Sequence, residues 1–396
     1  VNTLDNFNFA GRRAVVRVDF NVPLDKDLHI TDDTRIRAAT PTIKKILADG
    51  GSVVLLSHLG RPKGGYEKKY SLESLVLRLQ QEYGQEVIWG GDVLSDEALA
   101  KAQALQPAQV LLLDNVRFHK EEEAGDEAFA NRLAQLGDVY VNDAFGAAHR
   151  RHASTAVMAH AFTPENRVGG YLLQGELDNA QKVLENPERP FTAIMGGAKI
   201  SDKILIIEKL LDKVDNLLIG GGMAYTFAVA QGGHVGSSLL EADKVELAKQ
   251  LIAKAKEKGV NLMLPGDSVI ANKFANDADV DVASNMAIPD TWMGLDLGPD
   301  SREQFSDIIL DSKTILWNGP MGVFEMSNFS VGTEYVARAI ADATSAGAYS
   351  LIGGGDSAAA VQQLGYGDRV SYISTGGGAL LEFMEGKELP GVVALG

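Results

Sequence analysis

The 396-residue chain contains no cysteine. That excludes a disulfide framework, a thiolate zinc site and a cysteine nucleophile, and it fits a reducing compartment. Cations are scarce as well: 37 Lys and Arg stand against 53 Asp and Glu, a net charge of -16. This excess of acid favours solubility and argues against general nucleic-acid binding. No stretch approaches the ~18 unbroken apolar residues of a membrane span. The first residues, Val1 to Arg13, are polar and mixed, without the basic-then-apolar order of a signal peptide. The expectation is a cytoplasmic protein with neither nucleic acid nor membrane among its partners.

Hydrophobic residues, by contrast, are plentiful at 45% against 23% charged, the balance of a globular protein. Single cores stop growing near ~250–300 residues, so a chain of this length is expected to fold as two domains.

One pattern recurs along the sequence. A short apolar, β-rich run ends in polar or Gly-rich residues, and a helix-like segment follows. In the first half the runs are Ala14–Phe20, Ser52–His58, Val110–Phe118 and Asp138–Phe145. In the second half they are Phe191–Gly197, Asn216–Gly222, Asn261–Pro265, Thr314–Pro320 and Tyr349–Gly355. Near-continuous apolar runs predict strands buried on both faces, and their alternation with helices predicts an α/β fold with parallel sheets. Between the halves, Glu176–Glu185 reads as a helix with Leu177, Ala180, Val183 and Leu184 on one side, stopped by Asn186, Pro187 and Pro190. A helix bridging two domains and an ordinary surface helix both fit that pattern.

Ligands of open α/β sheets bind beyond the carboxyl ends of the strands, so the residues following each run carry the functional information. In the first half these are rich in Arg and His. Arg35, His58, Arg61, Arg117, His149 and Arg150 come from separated segments, and most lie at or just beyond a strand end. Arg offers a planar fork that matches carboxylate and phosphate, so the set predicts a site for a small polyanion carrying both groups. Asp19 and Asn21 add acceptors for hydroxyls.

The second half offers glycine-rich turns instead. In GGAKISDK, Gly196 and Gly197 permit close backbone approach, and Lys199 and Lys203 would share a face if that segment were helical. Two cations at a helix start suit a phosphate chain, although a tight strand–helix turn is the plainer alternative. No GxxxxGK[ST] P-loop is present. GGGDS at Gly353–Ser357 opens another helix-like segment, and Ser374 to Gly378 repeats the arrangement. Asp356 reads either as the holder of a divalent cation on a phosphate or as a residue near a helix N-cap. Glu325 is a candidate acceptor for ribose hydroxyls.

These motifs occur in a particular order: RVDFNVP, SHLGRP, NVRFH, NDAFGAAHR, GGAKISDK, GGGMAYTF, NGPMGVFE, GGGDS and STGGGA. In this the sequence resembles the phosphoglycerate kinase family along nearly its whole length. The resemblance implies two Rossmann-like lobes, each a mostly parallel sheet flanked by helices. The lobes would be 1–174 and 190–379, joined by a hinge helix at 175–189, with 380–396 packing back on the first. It implies that the first lobe binds 3-phosphoglycerate or 1,3-bisphosphoglycerate through Asp19, Asn21, Arg35, His58, Leu59, Gly60, Arg61, Arg117, His149 and Arg150. The second lobe would bind ADP or ATP with Mg²⁺ through Lys199, Lys203, Gly220, Gly221, Asn318, Glu325, Gly353, Gly354, Gly355, Asp356 and Ser357, with Asp356 toward the metal. The chain is expected to act as a monomer. The segment VIWGGDVL at Val87–Leu94 departs from the family pattern.

The residue inventory agrees with direct transfer. It contains no convincing nucleophile–base pair, and neither a carboxylate nor an ADP phosphate needs deprotonating at neutral pH. Catalysis then rests on alignment and charge stabilisation, for which Arg35, Lys199 and the backbone N–H groups near Gly355 and Gly378 are the candidates. Two other readings are disfavoured. A nicotinamide-dependent dehydrogenase lacks its G-x-G-x-x-G fingerprint here, and a non-catalytic nucleotide sensor would not need the basic cluster.

Overall fold

The computed structural model describes residues 2–396. Each apolar run becomes a strand. The first sheet has seven strands, all parallel, in the order Asn2–Thr3, Arg167–Gly169, Val139–Asn142, Arg13–Arg17, Ser52–Leu56, Val110–Leu112, Val87–Trp89. Ala14, Val15, Val16 and Val53 to Leu56 are fully buried, which is why these runs carry no polar face. The strand Val87–Trp89 falls in the segment that departs from the family pattern.

The second large sheet has six parallel strands, ordered Asn261–Met263, Asn216–Ile219, Phe191–Met195, Thr314–Asn318, Tyr349–Gly353, Tyr372–Ile373. Beside it lies a three-stranded antiparallel sheet, with Asp267–Ala271 between Val280–Ser284 and Met293–Leu297. A two-stranded ribbon, His234–Val235 with Ala287–Ile288, completes the β structure.

In both large sheets the strand order reverses next to a central strand. In the first, the chain runs from Arg13–Arg17 outward to one side and later returns on the other as Val139–Asn142. In the second, the reversal lies between Phe191–Met195 and Thr314–Asn318. A reversal opens a crevice at the carboxyl ends of the strands, where the two flanking loops diverge. Backbones cross closely at the second one: a Cβ on Gly196 would stand 2.1 Å from the Pro320 carbonyl oxygen and 2.4 Å from that of Gly319.

The chain divides into two compact units, residues 1–178 with 387–396, and residues 179–386. The helix predicted from Glu176 begins at Tyr171 and runs to Leu184. Its early start has a tertiary cause. The Tyr171 N–H donates to Thr42 Oγ1 (3.0 Å) and the Leu173 N–H to the buried carboxylate of Asp143 (3.1 Å), so side chains distant in sequence satisfy its first amides. At the far end Asn186 adopts φ 49° ahead of Pro187. Helix Gly377–Met384 packs on helix Ile204–Leu211 within the second unit. The chain rejoins the first unit at Lys387, where Gly391 bonds through its N–H to the Ala148 carbonyl (2.8 Å) and through its carbonyl to Asn142 Nδ2 (3.2 Å).

Candidate active site

In the first unit the basic residues gather at the carboxyl ends of the central strands. Asn21, in the loop after Arg13–Arg17, accepts the Gly60 N–H on Oδ1 (2.8 Å) and an Arg35 Nη1–H on its carbonyl (2.7 Å). Arg35 lies in the first turn of helix Thr34–Ala48 and also approaches Asp19 (3.5 Å). Asn21 thus ties three segments together. Gly60 has φ 60°, and a Cβ there would stand 2.3 Å from the Tyr70 ring. Glycine alone fits this turn, which places Leu59, buried, and Arg61, exposed, on either side.

His58 is 5% exposed. Burial pushes its imidazole well below the usual range, and the charges of Arg17, Arg117, Arg35 and His152 push the same way. His152 is lowered to about 4, by burial first and then by Arg117, Arg17, Arg150 and His149. These mutual influences place Arg35, His58, Arg117, His149 and Arg150 in one electropositive cluster. Arg117 donates to the Gly60 carbonyl (3.4 Å), while its buried Nε has no hydrogen-bond partner, and neither has the buried Nδ1 of His152. Arg117 Nε lies 4.0 Å from Glu123 Oε1, and a buried guanidinium N–H without a hydrogen bond suits an anionic ligand.

Sequence reasoning missed two members of the cluster. Arg17 ends the central strand fully buried, and His152 follows the Arg150–Arg151 pair. The signal for Arg17 was available: a cation inside an otherwise apolar strand is rare unless paired. Nothing in the sequence separates His152 from its exposed neighbours.

In the second unit the turns at the sheet reversal line a cavity of about 540 Å³. Its walls include Gly197, Gly221, Gly222, Pro320, Glu325 and Asp356, and an apolar surface from Leu239, Phe274, Met293, Leu295 and Val323. That apolar half also escaped the sequence reading, because Phe274, Met293 and Leu295 come from the antiparallel sheet and its loops. Phe274 is 60% exposed at the rim of this slot. A wide apolar slot with polar groups at its mouth suits a flat heterocycle.

Gly354 has φ 89° and precedes helix Gly355–Gln363. A Cβ on Gly377 would stand 3.3 Å from the Gly354 Cα, so the start of this helix lies against that of helix Gly377–Met384, bringing Gly353, Gly355 and Gly378 into one region. Convergent helix N-termini present unpaired N–H groups to an anion. Asp356 is exposed in the first turn and lines the cavity. Ser357 is not available in the same way: it is fully buried and its Oγ accepts the Gly319 N–H (2.7 Å), holding the crossing turn. Gly220 is buried against Met321, which a Cβ would strike at 2.4 Å.

Lys199 and Lys203 do not share a helical face. Ile200–Asp202 is a 3₁₀ turn and the α-helix starts at Ile204, which leaves Lys199 extended and exposed. Lys203 is half-buried and its Nζ donates to Asn318 Oδ1. Burial lowers its pKa, opposed by the carboxylates of Asp202, Asp356 and Glu385. Asn318 thereby links the GGAK turn to the end of the central strand.

The family model for phosphoglycerate kinase matches residues 4–387. A phosphoglycerate kinase of Porphyromonas gingivalis is 52% identical over 416 residues, covering 99% of this chain and 99% of the relative. The cytosolic phosphoglycerate kinase 3 of Arabidopsis thaliana is 55% identical over 395 residues, covering 100% and 98%. The solved phosphoglycerate kinase of Coxiella burnetii superposes with a TM-score of 0.89 at 41% identity, covering 99% of this chain and 98% of that one. The chain belongs to the phosphoglycerate kinase family. The phosphoglycerate kinase of Pyrococcus horikoshii, at 30% identity, still gives a TM-score of 0.86 over 100% and 98% of the two chains. Members of this family are kinases that use a carboxyl group as acceptor, and the two-unit α/β architecture is theirs.

His119 sits in the NVRFH motif, yet it turns aside to bond Asp92 (2.7 Å). That hydrogen bond raises the imidazole pKa. Burial pushes the Asp92 carboxyl up, but the bonds from His119, Leu94 and Val93 outweigh it and the net shift is downward. The stabilisation from His119 is therefore full below its unfolded pKa of about 6.5 and is lost as pH rises through the raised folded value. That from Asp92 is present above about 3.9 and is lost as pH falls through the lowered value. With Asp92 42% exposed, the pair is worth about 0.5–1 kcal/mol. Urea denaturation of wild type and His119→Gln is expected to differ by that amount near pH 5.5 and to converge by about pH 9. A difference independent of pH would remove the charge from the argument.

Proposed function

We propose that the chain catalyses the reversible, Mg²⁺-dependent transfer of a phosphoryl group from 1,3-bisphosphoglycerate to ADP, giving 3-phosphoglycerate and ATP in glycolysis. The observation that carries this reading is the division of labour between the two units, within a family match over residues 4–387. One unit holds the cluster of Arg and His, and the other holds a glycine-rich cavity with an apolar slot.

In this reading Arg35, His58, Arg61, Arg117, His149 and Arg150 take the phosphate and carboxylate of the glycerate. Asp19 and Asn21 take its hydroxyl, and Leu59 and Gly60 shape the turn. The apolar half of the cavity takes the base, Glu325 the ribose, and Lys199, Lys203, Asn318, Gly220, Gly221, Gly353, Gly354, Gly355 and Asp356 the phosphates, while Ser357 braces the turn through the Gly319 N–H. Arg35 and Lys199, with the N–H groups of Gly355 and Gly378, stabilise the charge on the transferring group.

The residues present fit a magnesium ion carried by the nucleotide. Asp356 offers one exposed carboxylate at the cavity, while the one cluster of three ligand side chains among the described residues, Asp25, Asp27 and His29, belongs to the other unit. Mg²⁺ characteristically takes one or two carboxylates together with substrate phosphate. When bound there it would offset the negative charge of the phosphate oxygens.

Because each substrate is assigned to its own unit, transfer requires closure about the intervening helix, which also excludes water from the acyl phosphate. The test is a coupled assay of ATP-dependent phosphorylation of 3-phosphoglycerate with and without Mg²⁺, paired with small-angle scattering. Metal-dependent turnover and compaction with both substrates are expected. A folded chain that binds nucleotide but never turns over would overturn the assignment, and turnover without compaction would overturn closure.

A further inference from the structure

Arg17 is fully buried, and each of its three guanidinium nitrogens makes a hydrogen bond. Its Nε–H donates to Ser154 Oγ (2.7 Å), its Nη1–H to the Val18 carbonyl, and its Nη2–H meets His58 Nδ1 at 2.9 Å. Ser154 donates its hydroxyl to Glu122 Oε2 (2.6 Å) and its N–H to Oε1 (2.8 Å). Glu122 and Ser154 are also fully buried, and the Glu122 carboxylate lies 4.0 Å from Arg17 Nη2.

A guanidinium only donates hydrogen bonds. The His58 nitrogen that faces it must therefore be the lone-pair nitrogen, which leaves the ring proton on Nε2. Protonating Nδ1 as well would set two N–H donors against each other inside a cluster that already holds Arg17, Arg35, Arg117 and His152. On the other side the buried Arg17 needs an anion, and Asp19 and Glu122 supply it.

We propose that Arg17, Ser154 and Glu122 are positioning residues that hold His58 as a neutral imidazole with its proton on Nε2. The glycerate anion then meets an oriented N–H donor at this position rather than a further cation. The inference rests on the assignment of the first unit to the glycerate substrate and goes beyond it by giving His58 a fixed tautomer and naming what fixes it. Ser154 is the joint: it accepts from Arg17 and donates to Glu122, so the guanidinium is held at a second nitrogen besides the one facing His58.

The test is nitrogen NMR of the full chain with labelled histidine, with the His58 signals assigned from their loss in His58→Gln. In the wild type, Nδ1 is expected bare and Nε2 protonated from about pH 5 to about pH 9. In Ser154→Ala the tautomer is expected to become mixed. The KM for 3-phosphoglycerate should then rise about tenfold, the worth of one charge-assisted hydrogen bond. kcat should fall less than this, and the KM for ATP should stay unchanged. Should Ser154→Ala not fold, Glu122→Gln is read in the same way. A proton on Nδ1 in the wild type would overturn the proposal. So would a variant that loses kcat alone with both KM values unmoved, the mark of a merely damaged fold. The tautomer is read without turnover, so an inactive wild type with the expected tautomer would sink the substrate assignment and leave the network standing.

Discussion

Arg35→Ala is expected to lose about a thousandfold in kcat, the usual scale for removing a cation that stabilises a transferring phosphoryl group, while remaining folded. Two features separate function from stability at this position. The side chain is 35% exposed, and its one short hydrogen bond runs to the Asn21 carbonyl at 2.7 Å. Losing such a bond at the surface costs about 1 kcal/mol or less. Asn21 would keep its bond to the Gly60 N–H, so the turn carrying His58 to Arg61 should survive. Nucleotide binding, proposed above for the other unit, should not change. The coupled assay, with circular dichroism and a nucleotide titration on the same protein, measures all three. Activity within about tenfold of wild type would exclude Arg35 from the reacting centre.

Gly221→Ala is expected to do the reverse, weakening nucleotide binding through the fold. Gly221 has φ 72°, and a Cβ on it would lie 2.5 Å from the Gly197 carbonyl oxygen, 2.6 Å from the Gly197 nitrogen and 3.0 Å from the Pro320 carbonyl oxygen. All three obstacles are backbone, so no rotamer relieves them. The left-handed conformation alone costs a non-glycine residue about 1–2 kcal/mol. Forcing the GGAK, GGGM and NGPM turns apart adds to this, for a total of about 3 kcal/mol or more. Because these turns form the mouth of the cavity, ADP affinity should fall by about a hundredfold, with a lowered thermal midpoint for the second unit. Gly355→Ala is the contrasting variant for folding: its Cβ would meet nothing within 4 Å and its φ is not positive. If Gly221→Ala melts like wild type, the close crossing is not what requires glycine there.

Both predictions depend on features of different legibility. Arg35 is legible in the sequence as one of a set of Arg and His from separated segments suited to a small polyanion; its place in the first turn of helix Thr34–Ala48 comes from the structure. Gly221 is legible only as one of three consecutive glycines; which of them carries the positive φ, and what it touches, follows from the strand order. The apolar half of the second unit's cavity was illegible for a related reason. Met293 and Leu295 lie on a short strand of the small antiparallel sheet and Phe274 in one of its loops, so nothing near them in sequence marks them as neighbours of the glycine-rich turns. The helix at Tyr171 was read late because its capping groups, Thr42 and Asp143, lie far away in sequence.

By itself the sequence determined the class of fold, since buried parallel strands must be continuous apolar runs. It determined the family, since the order of motifs leaves little freedom, and it pointed to the turns just past the runs as the places to look for ligands. Only the tertiary structure decided which charges act together. Arg17 ends one strand and His58 follows the strand beside it, Glu122 and Ser154 come from segments joined to them through a single hydroxyl, and Lys199 and Lys203 part company at a 3₁₀ turn. Hydrophobic periodicity is a property of neighbours along the chain, whereas a hydrogen-bonded network of buried charges depends on distances across it, which the packing of the strands sets.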